Sequence, residues 1–129
     1  MKILFNEKFL NYNQTSEYEG TYRLRKFANK YKNTEIKYDP TEDILKLHSR
    51  DYFEKIKRAC NNGSELVGLH LTPRAFESTL LAVTFAIEAS QTGNFSVARP
   101  PGHHADRERA SGFCLFNNAS IAAYELAKF

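Results

Sequence analysis

The stretch Arg99-Pro100-Pro101-Gly102-His103-His104-Ala105, with Ser111-Gly112-Phe113-Cys114-Leu115-Phe116-Asn117-Asn118 after it, decides how the rest of the chain reads. Two prolines and a glycine fix an irregular loop. The apolar run before them, Phe95-Ser96-Val97-Ala98, reads as a short strand, so the loop lies at a strand end, a common position for catalytic groups. Two adjacent histidines on a rigid loop present two imidazoles to one pocket. Imidazole is the side chain whose ordinary titration falls near neutral pH, which suits the pair to proton transfer. Gly112 lets backbone come close to a ligand, and Phe113 can wall an apolar channel. On spacing alone, the plainer reading of His103 and His104 as surface histidines in a turn is the stronger one, because short motifs match by chance.

Outward from this stretch the chain reads as mixed helix and strand, with helices dominant. Asn117 or Asn118 can cap a last helix through Lys128. Upstream, Thr72-Pro73 is a helix start, a hydroxyl cap followed by proline at the first helical position. That helix runs to about Gln91 with Gly93 beyond it, and Phe76, Leu80, Val83 and Ile87 form its stripe, widened by Leu81 and Phe85. Ser49 caps another helix with Asp51 in its first turn, an apolar stripe of Tyr52, Phe53, Ile56, Ala59 and Cys60, and a stop at Asn61-Asn62-Gly63. Thr41 is expected to cap a short helix through Leu47. Thr34–Tyr38 alternates and predicts a short strand, as does Lys2–Asn6. Leu24, Phe27, Ala28 and Tyr31 predict an amphipathic helix over 20–32. This order favours an α/β layered arrangement over a bundle.

The 129 residues suit one domain. The 26% charged and 42% hydrophobic residues are an ordinary soluble composition. No apolar run approaches membrane-spanning length, and the N-terminus lacks the apolar core of a signal peptide. A cytoplasmic setting follows, with Cys60 and Cys114 free and reduced. The triplets at Asn13, Asn62 and Asn118 then match the glycosylation pattern by chance. A net charge of +3 is too weak to point to nucleic acid. Arg23, Arg25, Lys26, Lys30 and Lys32 cluster, which reads as the solvated face of a helix rather than a docking patch for an acidic partner. His48 and His70 are isolated and read as packed or exposed side chains. No His-x-x-x-His, Cys-x-x-Cys or Asp-x-His spacing suggests a metal site.

Arg-Pro-Pro-Gly-His-His-Ala, then Gly-Phe-Cys-Leu-Phe-Asn-Asn and a small-residue helix, resembles the signature of the histone deacetylase and acetylpolyamine amidohydrolase family. Leu45-Lys46-Leu47-His48-Ser49-Arg50-Asp51-Tyr52 resembles its segment of Leu-His-Ser before an aspartate-tyrosine helix. Thr72-Pro73 with the helix over Leu80–Ser90 resembles the next block. Glu19 with Arg23-Leu24 is similar to an early Glu…Arg-Leu element, without the flanking His-Pro. The resemblance implies the N-terminal portion, residues 1–129 with no second domain, of a three-layer arginase-like fold whose sheet is incomplete here.

It also implies roles. His104 would be the main general base and acid, and His103 would supply electrostatic stabilisation. Gly112 would contact an acylated amine substrate through its backbone, Phe113 would wall the channel, and Cys114 would lie near its inner end, unless it is simply a small buried side chain. The parent chemistry uses zinc, which polarises the amide carbonyl and lowers the pKa of water. The family's metal ligands, the aspartates that orient the histidines and the oxyanion-stabilising tyrosine all lie C-terminal to this region. No acidic residue stands near Gly68–Thr72, where relatives carry one that grips the substrate. The resemblance therefore implies that this chain alone binds no zinc tightly and is inactive, and that a C-terminal complementary fragment or a homo-oligomer completes it. The alternatives are a non-catalytic interaction protein built on the same layers and, less supported, a small domain that assembles a site between subunits. Neither nucleic acid nor membrane is an expected partner.

Overall fold

The computed structural model describes residues 1–12, 14–15 and 18–128. Asn13 of the first acceptor triplet and the terminal Phe129 lie outside the described residues. In chain order the elements are β1 (Ile3–Leu4), 3-10 helices over Glu7–Tyr12 and Thr21–Leu24, α1 (Arg25–Lys30), α2 (Thr41–Leu47) and α3 (Arg50–Asn61). Then come β2 (Glu65–Leu66), β3 (Leu69–His70), α4 (Pro73–Thr92), β4 (Phe95–Ser96) and α5 (Asn118–Ala127). β1 pairs in parallel with β4, Ile3 opposite Phe95 and Leu4 opposite Ser96. A parallel pair needs a long crossover, and here every helix before α5 lies in it. β2 and β3 form a separate antiparallel hairpin. The fold is α/β with a small sheet, as expected.

The helix ends follow local chemistry. Ser49 accepts a hydrogen bond from the Tyr52 amide, and Thr72 accepts one from the Ala75 amide. Each satisfies an amide that the first helical turn leaves without a partner. Asn117 caps α5 by accepting from Ser120. Thr72→Ala is expected to cost about 1 kcal/mol. Urea denaturation checks this, the midpoint falling while the slope holds.

Four expectations need correction. Thr34–Tyr38 joins no strand: the Thr34 amide donates to the Phe5 carbonyl, but the hydroxyl and carbonyl of Thr34 bind Phe5 and Asn6 instead of continuing a ladder. Thr41 does not cap α2. It is the first helical residue, and its amide and hydroxyl both donate to Asp39. The helix expected over 20–32 starts as a 3-10 turn and becomes α-helical only at Arg25. On α4 the buried face is Ala75, Ser78, Thr79, Ala82, Val83, Thr84, Phe85 and Ile87, while Phe76, Leu80 and Leu81 are half-buried. Three hydroxyls on that face are tolerated because Thr79 and Thr84 donate to helix carbonyls and Ser78 donates to the Arg99 carbonyl.

α4 lies between two apolar clusters. The larger gathers Ile44, Tyr52, Phe53, Ile56, Val83, Leu115, Phe116 and Ile121 among others. The smaller holds Leu4, Phe5, Phe9, Leu24, Ala82 and Phe85, with the Phe9 and Phe85 rings edge to face at 5.3 Å. α2 and α5 are joined by charge as well. Lys46 and Lys128 both bind the Glu125 carboxylate. Asp43, pushed up by burial and then by Glu125, accepts from the Tyr38 hydroxyl, and Glu125 is held low by its hydrogen bond with Asp43 and by the two lysines. Arg23, Arg25, Lys26, Lys30 and Lys32 are all exposed, a solvated face. Among the described residues no helix is long and apolar enough to cross a membrane.

Candidate active site

The loop after β4 is built from backbone that other residues hold in place. The Arg99–Pro100 peptide is cis. Gly102 lies against Phe116 and Asn118: a Cβ there would collide with the Phe116 carbonyl oxygen and the Asn118 amide. Only glycine allows that approach. The Asn118 side chain donates to the Pro100 carbonyl and the Asn117 side chain to the Ala105 carbonyl. The segment 100–105 is thus pinned to the start of α5.

His103 and His104 stand side by side on this loop, ring centroids 4.2 Å apart and planes at 53°. Both are exposed. Behind His104 runs a tight turn in which Ser111 and Cys114 exchange backbone hydrogen bonds, and Gly112 and Phe113 between them have φ of 50° and 67°. The left-handed region suits Gly112 and strains Phe113, at about 1–3 kcal/mol. That placement brings the Gly112 backbone against the His104 ring, where a Cβ would be 2.6 Å from Cδ2. It also brings Phe113 against the hairpin tip, where a Cβ on Gly68 would meet the Phe113 ring at 3.1 Å. Val67 and Gly68, the residues of that tip, both have positive φ. Cys114 lies beneath, fully buried, its thiol donating to the Gly112 carbonyl. Burial pushes the Cys114 thiol up, against a hydrogen bond from the His104 backbone.

Of the residues singled out in the sequence, the structure sets His103 beside His104 and the Gly112 backbone against the His104 ring, while the Phe113 side chain meets Gly68 at the hairpin tip. An ion pair at the start of the histidines' loop was missed. Glu19, nearly buried, reaches Arg99 at 4.0 Å, 80 positions along the chain. The early Glu…Arg-Leu pattern was the only signal of it. His48 is buried between the rings of Tyr52 and Phe116, and His70 is exposed, its Nδ1 2.6 Å from Glu65. Both therefore fit their expected places as packed and exposed side chains. A cleft of about 670 Å³ opens elsewhere, under residues 34–41 and against Phe53, Phe76 and Leu80, and neither histidine of the pair lines it.

The donor set does not fit a zinc site. Among the described residues no group of three or more His, Cys, Asp or Glu side chains is placed to hold a metal ion. The arrangement can move a proton at His103 or His104 and can offer a backbone edge and an aromatic wall to a substrate.

Residues 16–129 match the model of the histone deacetylase domain family. The polyamine deacetylase HDAC10 of Danio rerio is 31% identical over 124 residues, 84% of this chain and 18% of that protein. A probable deacetylase of Methanothermobacter thermautotrophicus is 38% identical over 88 residues, 63% of this chain and 27% of its own length. The crystal structure of the HDA15 HD domain has the same fold, with a TM-score of 0.85 at 19% identity over 98% of this chain and 42% of that one. The chain thus spans less than half the length of each of these relatives.

Proposed function

This chain belongs to the histone deacetylase family, and from that membership we propose that it supplies the histidine pair and part of the substrate channel of a metal-dependent amidohydrolase. The observation that carries this reading is the exposed His103–His104 pair, ring centroids 4.2 Å apart, with the Gly112 backbone packed against His104 and Phe113 next along the same turn. The substrate is an acylated amine, such as acetyl-lysine or an acetylated polyamine. His104 takes a proton from the attacking water and returns one to the leaving amine. His103 stabilises charge beside it. Phe113 walls the aliphatic stem, Gly112 meets it with backbone, and the buried Cys114 holds that turn from below at the channel's inner end.

Zinc belongs to the family's chemistry; on this reading its donors are supplied by residues other than those described, and the chain alone is inactive and binds the ion only weakly. The remainder of a deacetylase domain, or a second copy, covers the exposed Phe95 of β4 and the exposed Tyr124 and Leu126 on α5. The free, buried Cys60 and Cys114 agree with a reducing, cytoplasmic setting.

Acetate release from an acetyl-lysine peptide and from an acetylated polyamine tests this. The chain alone, with zinc supplied, is expected to release none above background and to retain almost no zinc after desalting. Co-expression with the remaining part of a family domain is expected to restore release. Tight binding of about one zinc per isolated chain, or hydrolysis by the chain alone, would overturn the division of labour. Assembly without hydrolysis would favour the non-catalytic interaction protein.

A further inference from the structure

We infer that His48 is a positioning residue for the His103–His104 pair: a buried, uncharged imidazole that ties down the chain following them at two points, Arg107 and Asn117, and releases Asn117 when it takes a proton. The inference deepens the proposed function, since it concerns the same loop, but it rests on hydrogen bonds that do not depend on that function.

His48 is 1% exposed. Nδ1 lies 2.9 Å from the Arg107 carbonyl oxygen, and the Asn117 backbone amide donates to Nε2 at 3.0 Å. A carbonyl only accepts, and an amide N–H only donates. Nε2 must therefore be bare and Nδ1 must carry the hydrogen, which selects one neutral tautomer. A proton added at Nε2 would set N–H against N–H and break the Asn117 bond at a buried position. The consequence reaches the histidine pair by a short path. The Asn117 side chain holds the Ala105 carbonyl, next to His104, and the neighbouring Asn118 side chain holds the Pro100 carbonyl.

The groups around the ring agree with the uncharged state. Tyr52 of α3 stacks on it at 5.2 Å, with its hydroxyl committed to the Leu115 carbonyl, and Phe116 lies at 5.3 Å. From the loop, Arg107 reaches the Leu47 carbonyl, and Asp106 is paired with Arg109. Burial pushes the His48 pKa below its ordinary 6.5, hydrogen bonds to the Arg107 and Asp106 backbone oppose this, and the Arg107 charge adds to the lowering. The unfolded chain therefore takes this proton at a higher pH than the folded one. The stability that His48 contributes is complete above pH 6.5 and is lost as the pH falls from there through the folded value.

NMR of this chain tests the inference, with His48→Gln beside it. Glutamine offers an amide oxygen near the Nε2 position and does not titrate. From about pH 8 to about pH 5, three signals are followed: the His48 ring nitrogens, hydrogen exchange at the Asn117 amide, and the His104 ring. At the alkaline end His48 is expected as the Nδ1–H tautomer. As it takes a proton, Asn117 is expected to lose about tenfold or more of its protection. The His104 signals should shift in the same step while far-UV circular dichroism holds. In His48→Gln the protection should persist across the range. An Nε2–H tautomer, or Asn117 protection unchanged through the wild-type His48 titration, would overturn the proposal. So would the same acid loss in the glutamine variant. If that variant does not fold, the tautomer and the Asn117 protection of the wild type decide alone. A chain that shows the His48 step but gives no His104-dependent hydrolysis in a complete assembly would defeat the proposed activity and leave this inference standing.

Discussion

In an active assembly that contains this chain, His104→Ala is expected to lower turnover of an acylated amine about 100- to 10,000-fold, the usual span for a lost general acid–base. His104 rather than His103 should carry the larger effect. Its ring is backed by the Gly112 backbone, and its own backbone is tied to the buried Cys114. It is therefore the imidazole held against the turn that also presents Phe113. His103 contacts it at 4.2 Å and is expected to show a smaller loss. The double substitution should cost about as much as His104→Ala alone, because groups acting as a unit do not add. Both side chains are exposed, so stability should change by no more than about 0.5 kcal/mol. Steady-state kinetics and denaturation midpoints on the same samples separate the two effects. Full turnover in the double variant would remove the pair from the mechanism. An equal loss from His103→Ala alone would reverse the assignment of roles.

What could be read from the sequence divides by range. Ser49, Thr72-Pro73 and Asn117 announced three helix starts because a cap bonds to an amide three residues on, and that chemistry is local. Thr34–Tyr38 misled because alternation describes a side-chain pattern, whereas a strand needs a partner. Here one backbone bond and two side-chain bonds at Thr34 replace the ladder. Ile36 is half-buried in that segment and Tyr38 turns out to Asp43. On α4, the large residues drew the stripe, but the buried face is set by small and hydroxylated residues that let α5 and the 7–12 turn come close.

The histidine pair was legible because both residues are adjacent in the motif. His48 was legible only as a packed side chain. Its two hydrogen bonds reach residues 59 and 69 positions away, and no periodicity carries that information. The same holds for Glu19 and Arg99, which meet at 4.0 Å from positions 80 residues apart. Motif and capping chemistry are written over a few residues. The contacts that fix the loop's orientation exist only once the core has brought distant segments together.

Phe116 is where core and loop meet, and Phe116→Ala is expected to cost about 3–5 kcal/mol. The residue is fully buried. Its ring stacks on Phe53 at 5.7 Å, meets Tyr52 edge to face at 5.9 Å and lies 5.3 Å from His48. Alanine would remove one wall from three aromatic neighbours. The surrounding α3 side chains are held by the Ser49 cap and by the Tyr52 hydroxyl bond to Leu115, so the space cannot close by a simple shift. Domains of this kind have about 5–15 kcal/mol in total, so the variant should lie close to its unfolding threshold. Phe116→Leu keeps most of the apolar volume and should cost about 1.5 kcal/mol or less, while leaving His48 without one of its two aromatic faces. Urea denaturation of both variants measures the difference. A loss below about 1 kcal/mol for the alanine variant would mean that this cluster does not hold the start of α5. The loop of His103 and His104 would then need another anchor.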